Sequence, residues 1–240
     1  MDARELYGDR YSELYRALYV HHPQWRDKHE LNLRIIRSLL RPGGAWLDTC
    51  CGQAWHFTAI DGVAKTGVDV SAAQLRHARR DNPDATFLEA DVLDPALDPA
   101  LDPALGARFD LVTNFWGAYS YLDDLARIAA FVRRAIAWTA PGGALYLELI
   151  TPGTLAAFNA IPFAEATGSA VRLRSDDGVA WSYRDPGGWH DLTSPPPAFF
   201  EALLAPCFRT VEIRGVAATL VQLVAAGRTG RIAADQRSEL

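Results

Sequence analysis

Lysine is almost missing from this chain: of 240 residues, only Lys28 and Lys65 carry it. Cationic charge therefore rests on arginine, and 29 acids against 24 lysines and arginines leave a net charge of -5. A net charge of that sign disfavours binding to phosphate backbones, so no nucleic-acid partner is expected. Its basic pairs, Arg79-Arg80 and Arg133-Arg134, fall in helical segments and read as solvated helix faces. Cysteine is scarce too. Cys50 and Cys51 are adjacent and Cys207 is distant, which makes neither a disulfide framework nor a zinc-ligand set and points to a reducing, cytoplasmic setting. His21-His22 has no third ligand in its pattern, so no metal is expected. No apolar run approaches the roughly 20 residues of a membrane-spanning helix. The polar start from Asp2 shows no secretory pattern, so no membrane partner is expected.

What is present is core material: 49% of the residues are hydrophobic and 10% aromatic. Residues 9–40 carry apolar side chains at helical spacing, interrupted at Pro23. After Arg41-Pro42-Gly43-Gly44 the pattern alternates. The short run Ala45-Trp46-Leu47 predicts a buried strand and 53–60 a helix. Thr66–Val70 predicts a second strand and Ser71–Arg80 a helix capped by Ser71. Strands follow at Ala85–Ala90, Phe109–Phe115 and Ala144–Ile150, with a helix over Asp123–Thr139. Strands alternating with helices imply a parallel sheet covered on both faces. Arg209–Arg214 and Thr219–Ala225 read as two further strands paired antiparallel at one edge. Asp94–Leu105 repeats Asp-Pro-Ala-Leu three times, and proline at that frequency forbids a regular element, leaving a surface loop. Residues 161–196 are too long for a plain connection and predict a cap with short strands at Ala170–Arg174 and Val179–Tyr183.

Ligands of parallel α/β sheets bind beyond the carboxyl ends of the strands. Three predicted strand ends carry acids, at Asp48, Asp69 and Asp91. The step from Asp48 to Asp69 suits an acid that accepts from ribose hydroxyls. The chain shows Leu47-Asp48, Gly67-Val68-Asp69-Val70-Ser71, Ala90-Asp91-Val92, Phe109-Asp110-Leu111-Val112 and Pro141-Gly142-Gly143, in that order. In these motifs it resembles the class I S-adenosylmethionine-dependent methyltransferases, over roughly residues 9–150. The resemblance implies an α/β, Rossmann-like doubly wound seven-stranded sheet with an antiparallel last strand, N-terminal helices and a small cap insertion after strand five. Its implied parts are an N-terminal helical lid (1–42), a cofactor-binding domain (43–160 and 197–228), the cap (161–196) and a tail (229–240).

By the same resemblance S-adenosylmethionine is the cofactor. Backbone from Cys50 to Gly52 would hold its methionine part, with Asp48 supporting the loop. Asp69 and Val70 would meet the ribose, Asp91 and Val92 the adenine, and Asn114 and Phe115 the methionine moiety. Cys50 and Ala54 stand where the family has glycine, so a loop of somewhat different shape is expected.

Methyl transfer is an in-line displacement, so the acceptor must be aligned with water excluded, and a base is needed only for a protonated acceptor. Tyr7, Tyr11, Tyr15 and Tyr19 form a stripe at helical spacing. Tyr11 is the candidate catalytic residue among them and Tyr15 a candidate for substrate binding. Trp116 and Tyr119 beyond the fourth strand, and Trp189 in the cap, are further substrate candidates, since ring faces attract a sulfonium cation. His190 is the candidate base, in a loop where neighbouring Asp191 could raise its basicity; His56 is a weaker one. The expected activity is methyl transfer to an oxygen or nitrogen of a small molecule in specialised metabolite biosynthesis. The alternative is a non-methylating reaction such as a cyclisation. A nicotinamide dehydrogenase would need Gly-x-Gly-x-x-Gly after the first strand, which is missing. The sequence leaves the acceptor and the oligomeric state open.

Overall fold

A computed structural model describes residues 8–97, 109–217 and 219–229. Tyr7, the Asp-Pro-Ala-Leu repeat beyond Leu97 and the tail beyond Thr229 lie outside the described residues.

Two helical stretches open the described chain. Helix α1 (Asp9–Tyr15) runs on into a π-helical turn, Arg16–Val20, and α2 spans Arg26–Leu39 after a short turn begun by Pro23. Proline breaks the run as expected, because it has no N–H to continue the ladder. Then come β1 (Ala45–Thr49), β2 (Ala64–Asp69), α3 (Ala72–Asp81), β3 (Thr86–Glu89) and β4 (Phe109–Asn114). They are followed by α4 (Leu125–Trp138), β5 (Thr139–Leu149), α5 (Pro152–Phe158) and α6 (Pro162–Thr167). Strands β6 (Ala170–Leu173), β7 (Ala180–Asp185) and β8 (Gly188–Thr193) form a second, antiparallel sheet. Helix α7 (Pro197–Leu204) leads back to β9 (Phe208–Ala217) and β10 (Leu220–Arg228).

Seven strands make the main sheet in the order β3-β2-β1-β4-β5-β10-β9. β1 to β5 are parallel, and β10 enters antiparallel between β5 and β9. The expected fold class is therefore observed. The period-2 pleat sorts the core into two layers. Trp46, Leu111 and Tyr146 face Ile35 and Ile36 of α2, with Leu75 and Ala78 of α3. Leu47, Val112, Leu145 and Leu223 face the other side. There Ile128, Phe131, Val132 and Ala135 supply the apolar stripe of α4, and Phe200 and Leu204 that of α7. Ser71 caps α3 by accepting from the Gln74 N–H at 3.1 Å, and Asp124 caps α4 by accepting from Arg127 at 2.8 Å.

Two expectations are corrected. Residues 53–60 do not form an α-helix, only one 3-10 turn at Trp55–Ala59. The left-handed Ala54 (φ 50°) precedes it and extended Ile60 follows, so no second turn can grow. His190 does not lie in a loop. It sits within β8, paired with Tyr183 of β7. No helix among the described residues is long and apolar enough to cross a membrane.

Candidate active site

The strand order reverses between β1 and β4, and their carboxyl ends splay into a crevice there. It opens into a cavity of about 890 Å³, walled by loops of the main sheet, by the N-terminal helices and by the second sheet.

Asp69, at the end of β2, forms one corner. Its Oδ2 accepts from the Gly52 N–H and its Oδ1 from the Ser71 N–H, both at 2.8 Å, so one carboxylate ties together the ends of β1 and β2. Burial raises its pKa, and the backbone N–H bonds oppose that shift. Asp91 accepts from the Leu93 N–H at 2.8 Å, and Val70 and Val92 join it on the cavity wall. On the first turn of α3 sits a residue that the sequence reading missed as a site: Gln74. It is 2% exposed and lines the cavity, and neither its amide nitrogen nor its amide oxygen has a partner among the described residues. A buried amide left unpaired costs free energy, so this one asks for a ligand offering both a donor and an acceptor. A nucleoside does so. The residues present thus fit S-adenosylmethionine on an observation of the structure itself.

The loop after β1 runs through Cys50, Gly52 and Ala54, with φ of 52°, 53° and 50°. Both non-glycine residues adopt the left-handed backbone that glycine favours, at roughly 1–2 kcal/mol each. The loop keeps a glycine-like path despite its side chains. Below it Asp48 is buried and accepts from the Thr113 hydroxyl at 2.6 Å. Burial pushes its pKa up to about 8, Asp69 and Glu148 add to the rise, and Thr113 opposes it. A carboxyl whose folded pKa lies above its unfolded value contributes stability below the unfolded value, lost as pH rises through the folded one. Between about pH 4 and pH 8 the ligand-free protein is therefore expected to lose up to about 1.4 kcal/mol per pH unit through Asp48. Asp48→Asn should flatten that part of the profile. Urea unfolding at several pH values checks this, and parallel profiles for the two proteins would remove Asp48 as the cause.

Aromatic rings form the next wall. Tyr15 and Tyr19 pack with centroids 4.9 Å apart, and Tyr19 meets the Trp116 edge at 5.5 Å. Phe115 and Trp116 extend the wall beyond β4. Behind Trp116 lies a buried polar cluster. Glu148 of β5 accepts from the Trp116 N–H at 2.6 Å and from the Asn32 amide at 2.9 Å. The Lys28 ammonium stands 3.0 Å from the same carboxylate and 3.6 Å from the Trp116 ring centroid. Charge and the ring face hold it there. His29 and His56 complete the cluster 3.4 Å apart. Burial lowers the pKa of both, that of His29 to about 3, and both rings stay neutral.

The far wall belongs to the second sheet. His190 faces Asp185 at 3.0 Å, and the Tyr11 hydroxyl donates to the other oxygen of that carboxylate. The sequence placed Tyr11 and His190 as candidates without linking them; Asp185, which joins them, was not among the candidates. The expected partner Asp191 instead accepts from the Ser182 hydroxyl and pairs with Arg174. Arg172 and Trp189 stand near the rim, the guanidinium 4.3 Å from the ring centroid.

Two candidates lie elsewhere. Tyr119 is fully buried against Phe200, and the following turn sends Tyr121 to the cavity instead. Asn114 is also fully buried, donating to the Thr49 carbonyl and accepting from the Tyr119 N–H, so it braces β1 against the β4 loop rather than lining the cavity.

No protein-family profile matches the chain. It is 29% identical over 162 residues to a dTDP-3-amino-3,6-dideoxy-alpha-D-glucopyranose N,N-dimethyltransferase of Streptomyces fradiae, which covers 63% of this chain and 60% of that protein. The match thus spans less than two thirds of that relative. Among solved structures, the sugar N-methyltransferase KedS8 of Streptoalloteichus sp ATCC 53650 superposes with a TM-score of 0.61 at 22% identity, covering 91% of this chain and 92% of that one. S-adenosylmethionine-bound CalS10, an amino pentose methyltransferase of Micromonospora echinaspora, gives 0.58 at 21% identity, covering 92% and 97%. In motif order the chain resembles the class I S-adenosylmethionine-dependent methyltransferases, and its fold is the one these sugar-methyltransferase structures share.

Proposed function

We propose that this chain transfers methyl groups from S-adenosylmethionine to the amino nitrogen of a sugar nucleotide. The observation that carries the cofactor assignment is the Gln74 amide, unpaired among the described residues, in the cavity that Asp69 and Asp91 also line. The relative that acts on a dTDP-amino sugar and the two sugar-methyltransferase structures support the acceptor class. Asp69 would accept from the ribose hydroxyls, Asp91 and the Val92 N–H would meet the adenine, and Gln74 would satisfy its amide nearby. Backbone from Cys50 to Gly52 would hold the methionine part. When bound, the cofactor supplies a methyl carbon on a cationic sulfur.

The chain's own residues then do three things. Tyr15, Tyr19, Phe115 and Trp116 offer ring faces to a cation and keep water out. Arg127 and Arg172, both on the cavity wall, offer guanidinium groups to a diphosphate. The cap formed by β6 to β8 closes over the acceptor, aligning its nitrogen for displacement. The altered glycine loop, which motivated a non-methylating reading, keeps positive φ at both altered positions and no longer favours it.

Incubation with labelled S-adenosylmethionine, using amino-sugar nucleotides beside their hydroxyl counterparts, tests the proposal. Product mass should rise by one or two methyl groups on the amino sugars and not on the hydroxyl sugars. S-adenosylhomocysteine binding without methylation of any amino sugar would defeat it.

A further inference from the structure

We infer that Asp185 is a positioning residue that fixes the tautomer of His190 and so makes His190 Nδ1 the base for the acceptor nitrogen. The inference rests on the nitrogen methylation proposed above. Asp185 ends β7 and His190 lies within the paired β8, with side chains 1% and 3% exposed. Two donors and the His190 ring converge on the carboxylate. The Gly187 N–H reaches Oδ1 at 2.7 Å, the Tyr11 hydroxyl reaches Oδ2, and His190 Nε2 stands 3.0 Å from Oδ1. Burial, with Asp185 itself next, raises the Tyr11 pKa well above that of an ordinary phenol, so Tyr11 remains a donor. A carboxylate engaged in this way can only accept, so the His190 Nε2 must carry its proton. The Nδ1 lone pair is then left over. No described residue bonds it, and the side chain lines the cavity.

This is what deprotonating an ammonium requires. One N–H bond of the acceptor breaks, its electron pair stays on nitrogen as the nucleophilic pair, and the proton forms a bond to His190 Nδ1. The positive charge moves from the acceptor to the imidazole, where the Asp185 carboxylate stabilises it. The same carboxylate joins α1 to the hairpin through Tyr11, so a purely structural tie is the rival account.

Long-range proton–nitrogen NMR of the full chain, labelled on histidine and assigned with His190→Gln, reads which ring nitrogen holds the proton. The wild type is expected to show Nε2–H with bare Nδ1. Asp185→Asn, whose amide can donate as well as accept, is expected to show Nδ1–H or a mixture. In turnover its kcat should fall about 10²- to 10⁴-fold, with S-adenosylhomocysteine affinity and acceptor KM changed by no more than a few-fold. Nδ1–H in the wild type overturns the inference, whether or not any variant folds. So does an Asp185→Asn protein that keeps both the wild-type tautomer and the wild-type kcat. If the wild type methylates no amino sugar while its His190 shows Nε2–H, the proposed activity fails and the positioning by Asp185 stands.

Discussion

Replacing Lys28 with methionine is expected to destabilise the ligand-free protein by about 3–5 kcal/mol. Lys28 has no exposed surface, nor has Glu148, the carboxylate beside it. Burial lowers the lysine pKa, and Glu148 partly restores it, so the pair is marginal for each ion alone and depends on mutual attraction. Methionine fills much the same volume but leaves the Glu148 carboxylate in an apolar setting with only the Trp116 and Asn32 N–H donors. The loss should not be additive. Glu148→Gln keeps an oxygen for the Trp116 N–H while removing the charge, so the double variant Lys28→Met, Glu148→Gln should be more stable than Lys28→Met alone. Urea unfolding of the two single variants and the double variant closes the cycle. A Lys28→Met protein within about 1 kcal/mol of wild type would mean that water serves Glu148 and that the pair is not truly dry.

That pair also shows where reading the sequence stops. The alternating apolar pattern of 45–150 was legible because each strand and helix announces itself locally, and Ser71 sits where a cap belongs. The acids at strand ends could be read for the same reason. Lys28 and Glu148, however, meet across the fold, and one of only two lysines gave no local sign of its burial. Asp185 and Tyr11 meet across 174 residues. The strand around His190 was invisible for a different reason. Its inward positions are His190 and Leu192, and a buried histidine breaks the polar–apolar alternation that marks a strand. Tyr119 and Tyr121 were indistinguishable in sequence. The 3-10 turn after Gly117 decides which one turns to Phe200 in the core. Gln74 could have been suspected from its place shortly after Asp69, but its lack of partners among the described residues is a fact of packing.

Asp69→Ala is expected to weaken S-adenosylhomocysteine binding by about 100-fold or more, the loss of two charge-assisted hydrogen bonds at roughly 1.5–3 kcal/mol each. Two effects would contribute, and they can be separated. The carboxylate would bond the ribose, and it already holds the Gly52 and Ser71 N–H groups that shape the loop. Removing it leaves two donors unpaired, so the ligand-free protein should also lose about 1–3 kcal/mol per unsatisfied group at most. A ligand lacking the ribose hydroxyls distinguishes the roles by calorimetry. If Asp69 grips the ribose, that ligand binds the wild type far more weakly than the natural one does, and the variant shows little preference between the two. Were the variant to lose the same factor for both ligands, the carboxylate would act only by shaping the loop, and the ribose would have to be held by another group on the same wall.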